Sequence, residues 1–137
     1  MRMMVAYDGS KAAEAALQLV KERAKQTATH VLIATSSMAT EGTRHLYAAE
    51  LEEIHRRLMT AKKIFDNEQI PCDIYLSDRG NEPGEDIVRL AKEHDVDQLV
   101  VGVRKRSKVG KLLIGSVAQY IILHAVCPVL AVKAKGE

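Results

Sequence analysis

At 137 residues the chain is long enough for one domain that buries its own core, so it needs no disulfide or structural metal. Hydrophobic residues at 47% and charged residues at 28% exclude a disordered chain. A formal net charge of +2 is too small to make nucleic acid or an acidic membrane the main partner.

Strand and helix patterns alternate from end to end. Met3 to Tyr7 is a short apolar run that stops at the turn signal Asp8-Gly9-Ser10. A helix follows, with Ala13, Leu17, Val20 and Ala24 on one face and Ser10 as its N-cap. His30 to Ser36 reads as the second strand, and residues 37 to 43 as a polar loop. The clearest helix carries a stripe of Tyr47, Leu51, Ile54, Leu58, Ala61 and Phe65, largely surrounded by charged residues. Ile70 to Leu76 reads as the third strand, with Pro71 near its start, where a proline is tolerated. After a turn at residues 78–81, Pro83 suits the first position of a helix whose apolar face is Ile87, Leu90 and Ala91. Gln98 to Val101 is a fourth strand, followed by a basic, glycine-containing loop over 102 to 115 whose Leu112-Leu113-Ile114 segment suits a short turn. The last helix starts at Ser116, with Val117, Ile121 and Ile122 inward, and Cys127 to Lys133 is the fifth strand. Strands separated by helices specify right-handed βαβ units and a parallel sheet, here one doubly wound α/β domain over residues 1–137. Such a domain binds its ligand at the carboxyl ends of the strands, where the strand order reverses.

Three segments at those ends carry chemistry. Asp8 follows the first strand and suits two roles, accepting hydrogen bonds from ribose hydroxyls or fixing the turn into the helix. The run Gly102-Val103-Arg104-Lys105-Arg106-Ser107-Lys108 follows the fourth strand, and is either a phosphate-binding loop or a solvated basic one. It is not a Walker A loop, because Gly110-Lys111 is followed by Leu112 and not by Ser or Thr. Gly115-Ser116 opens the last helix, whose unpaired N–H groups favour an anion, and the same pair also reads as a glycine turn with a serine cap. With the first and fourth strands side by side, Asp8, Gly102 and Gly115 converge on one crevice suited to a nucleotide.

The sequence resembles the universal stress protein family over nearly its whole length. The resemblance is densest in Asp97-Gln98-Leu99-Val100-Val101-Gly102, Leu112-Leu113-Ile114-Gly115-Ser116-Val117-Ala118 and His124-Ala125-Val126-Cys127-Pro128-Val129-Leu130, with Val5-Ala6-Tyr7-Asp8-Gly9-Ser10 matching the first strand and its acidic turn. The resemblance implies an adenine nucleotide alpha hydrolase-like fold with strand order 3-2-1-4-5 and helices on both faces. Members that bind ATP carry a glycine, two residues, a second glycine, nine residues, then Gly-Ser or Gly-Thr. Gly102 and Gly115-Ser116 match, whereas Lys105 stands where the second glycine belongs. A lysine there either closes the backbone path to a phosphate or replaces the lost contact with its ammonium, beside Arg104.

By this resemblance Asp8, flanked by Ala6 and Tyr7, holds the ribose, and Ser36 and Val101 line the adenine pocket. Gly102, Arg104, Lys105, Gly115, Ser116 and Val117 surround the phosphates of ATP, ADP or AMP, with Mg2+ an optional companion. The family commonly forms dimers through its last strand, and Pro128 to Val132, apolar on both faces, is hazardous as a bare edge. The implied role is a dimeric stress-response or signalling module. The alternative is a member that has lost its nucleotide and acts as a dimeric interaction module.

No catalytic set is evident. The five histidines are scattered, no catalytic base or second acidic magnesium ligand stands near the loop, and hydrolysis is expected to be slow at most. His124 and Cys127 sit three apart, but two ligands do not make a zinc site. A nucleic-acid role is disfavoured, since the basic loop holds no aromatic residue for base stacking. Cys72 and Cys127 lack CxxC spacing, which favours a reducing compartment. The start of the chain reaches Asp8 too soon for a signal peptide and no apolar run is long enough to span a bilayer, so the expected location is cytoplasmic.

Overall fold

In a computed structural model of the chain, which describes residues 1–37, 39, 42–78, 80–104 and 114–135, five parallel strands form one sheet in the order β3-β2-β1-β4-β5. The strands are β1 (Arg2–Ala6), β2 (His30–Ser37), β3 (Cys72–Asp78), β4 (Gln98–Val103) and β5 (Val129–Lys133). The helices are α1 (Lys11–Gln26), α2 (Ala48–Asp66), α3 (Glu85–Glu93) and α4 (Ser116–His124). The expected doubly wound sheet and its order are therefore observed.

The alternation of side chains along β1 decides the layering. Met3 and Val5 point to one face, where they pack with Leu17 and Val20 of α1 and with Leu58 and Phe65 of α2. Met4 and Ala6 point to the other, against Ile87 of α3 and Ile121 of α4. Both faces of the central strand are dry, which is why Met3 to Ala6 reads as a continuous apolar run.

Several element ends differ from the sequence reading. β1 runs one residue earlier than expected, because pairing starts with the His30 N–H donating to the Met1 carbonyl at 2.8 Å. Tyr7 follows the strand but still donates its N–H to the Ala34 carbonyl at 2.8 Å. β3 begins at Cys72 rather than Ile70, with Pro71 just outside it offering its carbonyl to the Val31 N–H at 2.9 Å. β4 continues through Gly102 and Val103, both expected in the loop, because β5 pairs with them in register. β5 itself starts at Val129 and not at Cys127.

The stripe of α2 begins at Leu51, since Tyr47 belongs to a 3-10 turn, Arg44–Tyr47, that precedes the helix. α3 starts two residues after Pro83. Its N-cap is Gly84 at φ 94°, a left-handed conformation that glycine adopts without a Cβ penalty. A Cβ at this position would also come within 3.0 Å of the Val117 carbonyl, so the glycine lets α3 lie close to α4. No helix among the described residues is long and apolar enough to cross a membrane.

Candidate functional site

The strand order sets β1 between β2 and β4, and the chain leaves β1 and β4 toward opposite faces of the sheet. That reversal opens a cleft of about 620 Å³ at the carboxyl ends of the strands. Ala6, Tyr7 and Asp8 line it from the end of β1, and Ser36 from β2. Val101, Gly102 and Arg104 line it from β4, and Gly115, Ser116 and Val117 from the start of α4. Thus ten of the eleven residues singled out in the sequence lie around one cavity. The eleventh, Lys105, falls outside the described residues, together with the rest of the basic loop through 113.

Asp8 does fix the turn. Its Oδ1 accepts the Ser10 N–H at 2.9 Å, while Ser10 Oγ caps α1 by accepting the Ala13 N–H at 3.1 Å. Behind the turn, the Tyr7 hydroxyl donates to Glu14, and burial, reinforced by that carboxylate, drives the phenol well above the ordinary tyrosine range. The Tyr7 carbonyl accepts the Thr35 hydroxyl at 2.7 Å, which ties the ends of β1 and β2 together below the cleft.

Gly102 has a structural reason that the motif alone does not reveal. A Cβ on it would stand 2.6 Å from the Ala12 carbonyl carbon and 2.7 Å from the Ala13 nitrogen. Its missing side chain lets the end of β4 press directly against the main chain of α1. Gly115 is the opposite case. A Cβ there meets no atom of the described residues within 4 Å, and its backbone, at φ -60° and ψ 157°, is open to any residue. Gly115, not Ser116, is the N-cap of α4, and among the described residues no side chain caps this end. The uncapped N–H groups and the positive end of the helix therefore face the cleft beside Arg104.

Sequence reasoning missed several wall residues, among them Ala34, Thr35, Ile87 and Ile114. It also missed Asp86, which is 0% exposed behind the wall. Ser36 Oγ donates to Asp86 Oδ2 at 2.7 Å, and Asp86 Oδ1 is buried with no hydrogen-bond partner among the described residues. Burial pushes this carboxyl above the usual aspartate range, against the opposing pull of the Ser36 hydroxyl, nearby main-chain N–H groups and the Arg89 charge. In the sequence Asp86 reads as an acidic residue complementing a helix start, so nothing marks it as buried. Among the described residues no cluster of His, Cys, Asp and Glu could hold a metal ion. His124 instead stacks on Tyr120, with ring centroids 4.2 Å apart.

Known proteins share both sequence and fold. A universal stress protein of Mycolicibacterium smegmatis is 32% identical over 136 residues, covering 98% of each chain. The universal stress protein structure from Archaeoglobus fulgidus is 36% identical, covers 97% of this chain and 98% of its own, and superposes with a TM-score of 0.80. A structure of the universal stress protein from Archaeoglobus fulgidus in complex with dAMP is 32% identical over the same shares, with a TM-score of 0.76. The sequence pattern of the Universal stress protein family matches residues 1–133, and the chain belongs to that family.

Proposed function

We propose that the cleft binds an adenine nucleotide, one per chain, and that the whole chain acts as a single cytoplasmic stress-response or signalling domain. The observation that carries this reading is the convergence of Asp8, Gly102 and the uncapped Gly115-Ser116 helix start on one cavity. The relative solved with dAMP supports the ligand class. In this reading the strand order divides the ligand among three parts of the cleft. β2 offers Ser36 and its neighbours to the base, and β1, in the middle, offers the carboxylate of Asp8 to the ribose. β4 and α4 offer Arg104, Gly115, Ser116 and Val117 to the phosphates. Asp8 accepts the Ser10 N–H through one oxygen, so turn and ribose roles are compatible in a group with two. Mg2+ would accompany a di- or triphosphate.

Titration calorimetry of the nucleotide-free protein with ATP, ADP and AMP, with and without Mg2+, tests the proposal. Saturation at one site per chain is expected, and the ranking reads how many phosphates the helix start and the basic loop hold. Absence of binding at millimolar ligand would favour the interaction module without nucleotide, with Lys105 closing the path.

The same reading includes a homodimer through β5, which is an edge strand with Val129, Leu130 and Val132 each half-buried. The Leu99 N–H donates to the Pro128 carbonyl, so the main-chain groups of Pro128, Leu130 and Val132 face β4, and those of Val129, Ala131 and Lys133 face outward. Ala131→Pro removes an outward N–H and leaves the β4 ladder intact. Sedimentation should show the variant as a folded monomer where the wild-type chain is a dimer. A variant that stays dimeric would place the contact elsewhere.

A further inference from the structure

Ser36 and Asp86 form a polar pair at the end of the cleft assigned to the base. Ala34 and Ile87 add apolar surface to the same cleft. Ser36 touches the cleft, whereas Asp86 is wholly buried behind it. A hydroxyl carries a single proton, and that of Ser36 is directed to Asp86 Oδ2 at 2.7 Å. While Asp86 is ionised its carboxylate can only accept, so the Ser36 hydroxyl is the donor of this bond. Ser36 Oγ then turns lone pairs alone toward the cleft.

We propose that Asp86 is a positioning residue that fixes Ser36 as an acceptor and so makes the cleft select purines with a 6-amino group over those with a 6-oxo group. The inference rests on the nucleotide reading above and deepens it. Adenine brings an N–H donor to the acceptor at Ser36. Hypoxanthine and guanine bring an oxygen, which sets acceptor against acceptor. The carboxylate lies too deep to touch the ligand and acts through the serine.

The test compares AMP, IMP and purine riboside 5′-monophosphate, which lacks any group at C6, on the wild-type chain and on Asp86→Asn. Wild type should bind AMP about tenfold more tightly than either of the others, the worth of one good hydrogen bond. In Asp86→Asn the side-chain amide can donate to Ser36 Oγ, which frees the hydroxyl proton to face the cleft. The ratio of AMP to IMP affinity should then collapse toward one or invert. Simple loss of packing would weaken both ligands and leave their ratio unchanged. Equal binding of the three nucleotides by wild type, or a wild-type ratio in Asp86→Asn, would overturn the proposal while leaving the nucleotide site standing. If wild type binds none of the three, the nucleotide reading itself is overturned and the inference with it. Equal wild-type binding of AMP and IMP overturns the proposal even if the variant fails to fold.

Discussion

Gly102→Ala is expected to destabilise the protein by about 3 kcal/mol, because the new methyl group is forced into main-chain atoms that cannot rotate away. The contacts would be 2.6 Å to the Ala12 carbonyl carbon and 2.7 Å to the Ala13 nitrogen, both in the first turn of α1. Relief requires moving α1 off β4 or bending β4 off the sheet. Either movement opens a core in which Val100, Leu17 and Val20 are fully buried. The loss corresponds to roughly 10 °C in the unfolding midpoint, which thermal denaturation followed by circular dichroism would read. A midpoint within a degree or two of wild type would mean that the α1–β4 contact is looser than described.

The second large effect concerns affinity. Gly115→Val is expected to weaken adenine-nucleotide binding at least tenfold, on the order of 1.4 kcal/mol or more, while costing only about 1 kcal/mol of stability for a poorer helix cap. The side chain has room in the free protein, since nothing among the described residues lies within 4 Å of its Cβ. Its bulk would occupy the approach to the α4 N–H groups, where the phosphates are proposed to sit. Calorimetry with ATP and AMP, paired with the unfolding midpoint, reads both quantities. Undiminished affinity would show that the phosphates do not sit at this helix start. Together the two glycines separate tasks that one motif joins, with Gly102 serving the packing of β4 on α1 and Gly115 serving access to α4.

The sequence made the sheet legible because each strand carries a short apolar run and each helix a stripe at helical spacing. Ser10 was readable as a cap because its hydroxyl is the right length at the right place, and it does accept the Ala13 N–H. Element ends were less readable, because they depend on neighbours. β4 extends over Gly102 and Val103 only because β5 lies alongside, and α3 starts late because Gly84, not Pro83, sets the turn. The wall residues found in advance were those at strand ends and the last helix start. Those missed, Thr35 and Ile87 among them, look like ordinary core or strand positions until the cleft is closed around them. Asp86 was invisible for a sharper reason, since burial of a carboxylate is decided by tertiary packing and leaves no mark on local pattern.

The position of β1 has a further consequence for how the molecule comes into being. Its partner on one side, β2, follows within one helix, but its partner on the other, β4, is far along the chain, as the Arg2–Asp97 hydrogen bond across 95 residues shows. During synthesis the apolar Met3–Ala6 edge therefore waits unpaired until most of the protein has left the ribosome, in the form most prone to association with other chains. The cleft waits with it, because one of its walls is β4 and the start of α4. A nascent chain that stops before Gln98 has no pocket to fill, so any stabilisation from ligand is confined to the completed fold and cannot help the early half of the chain through its exposed stage.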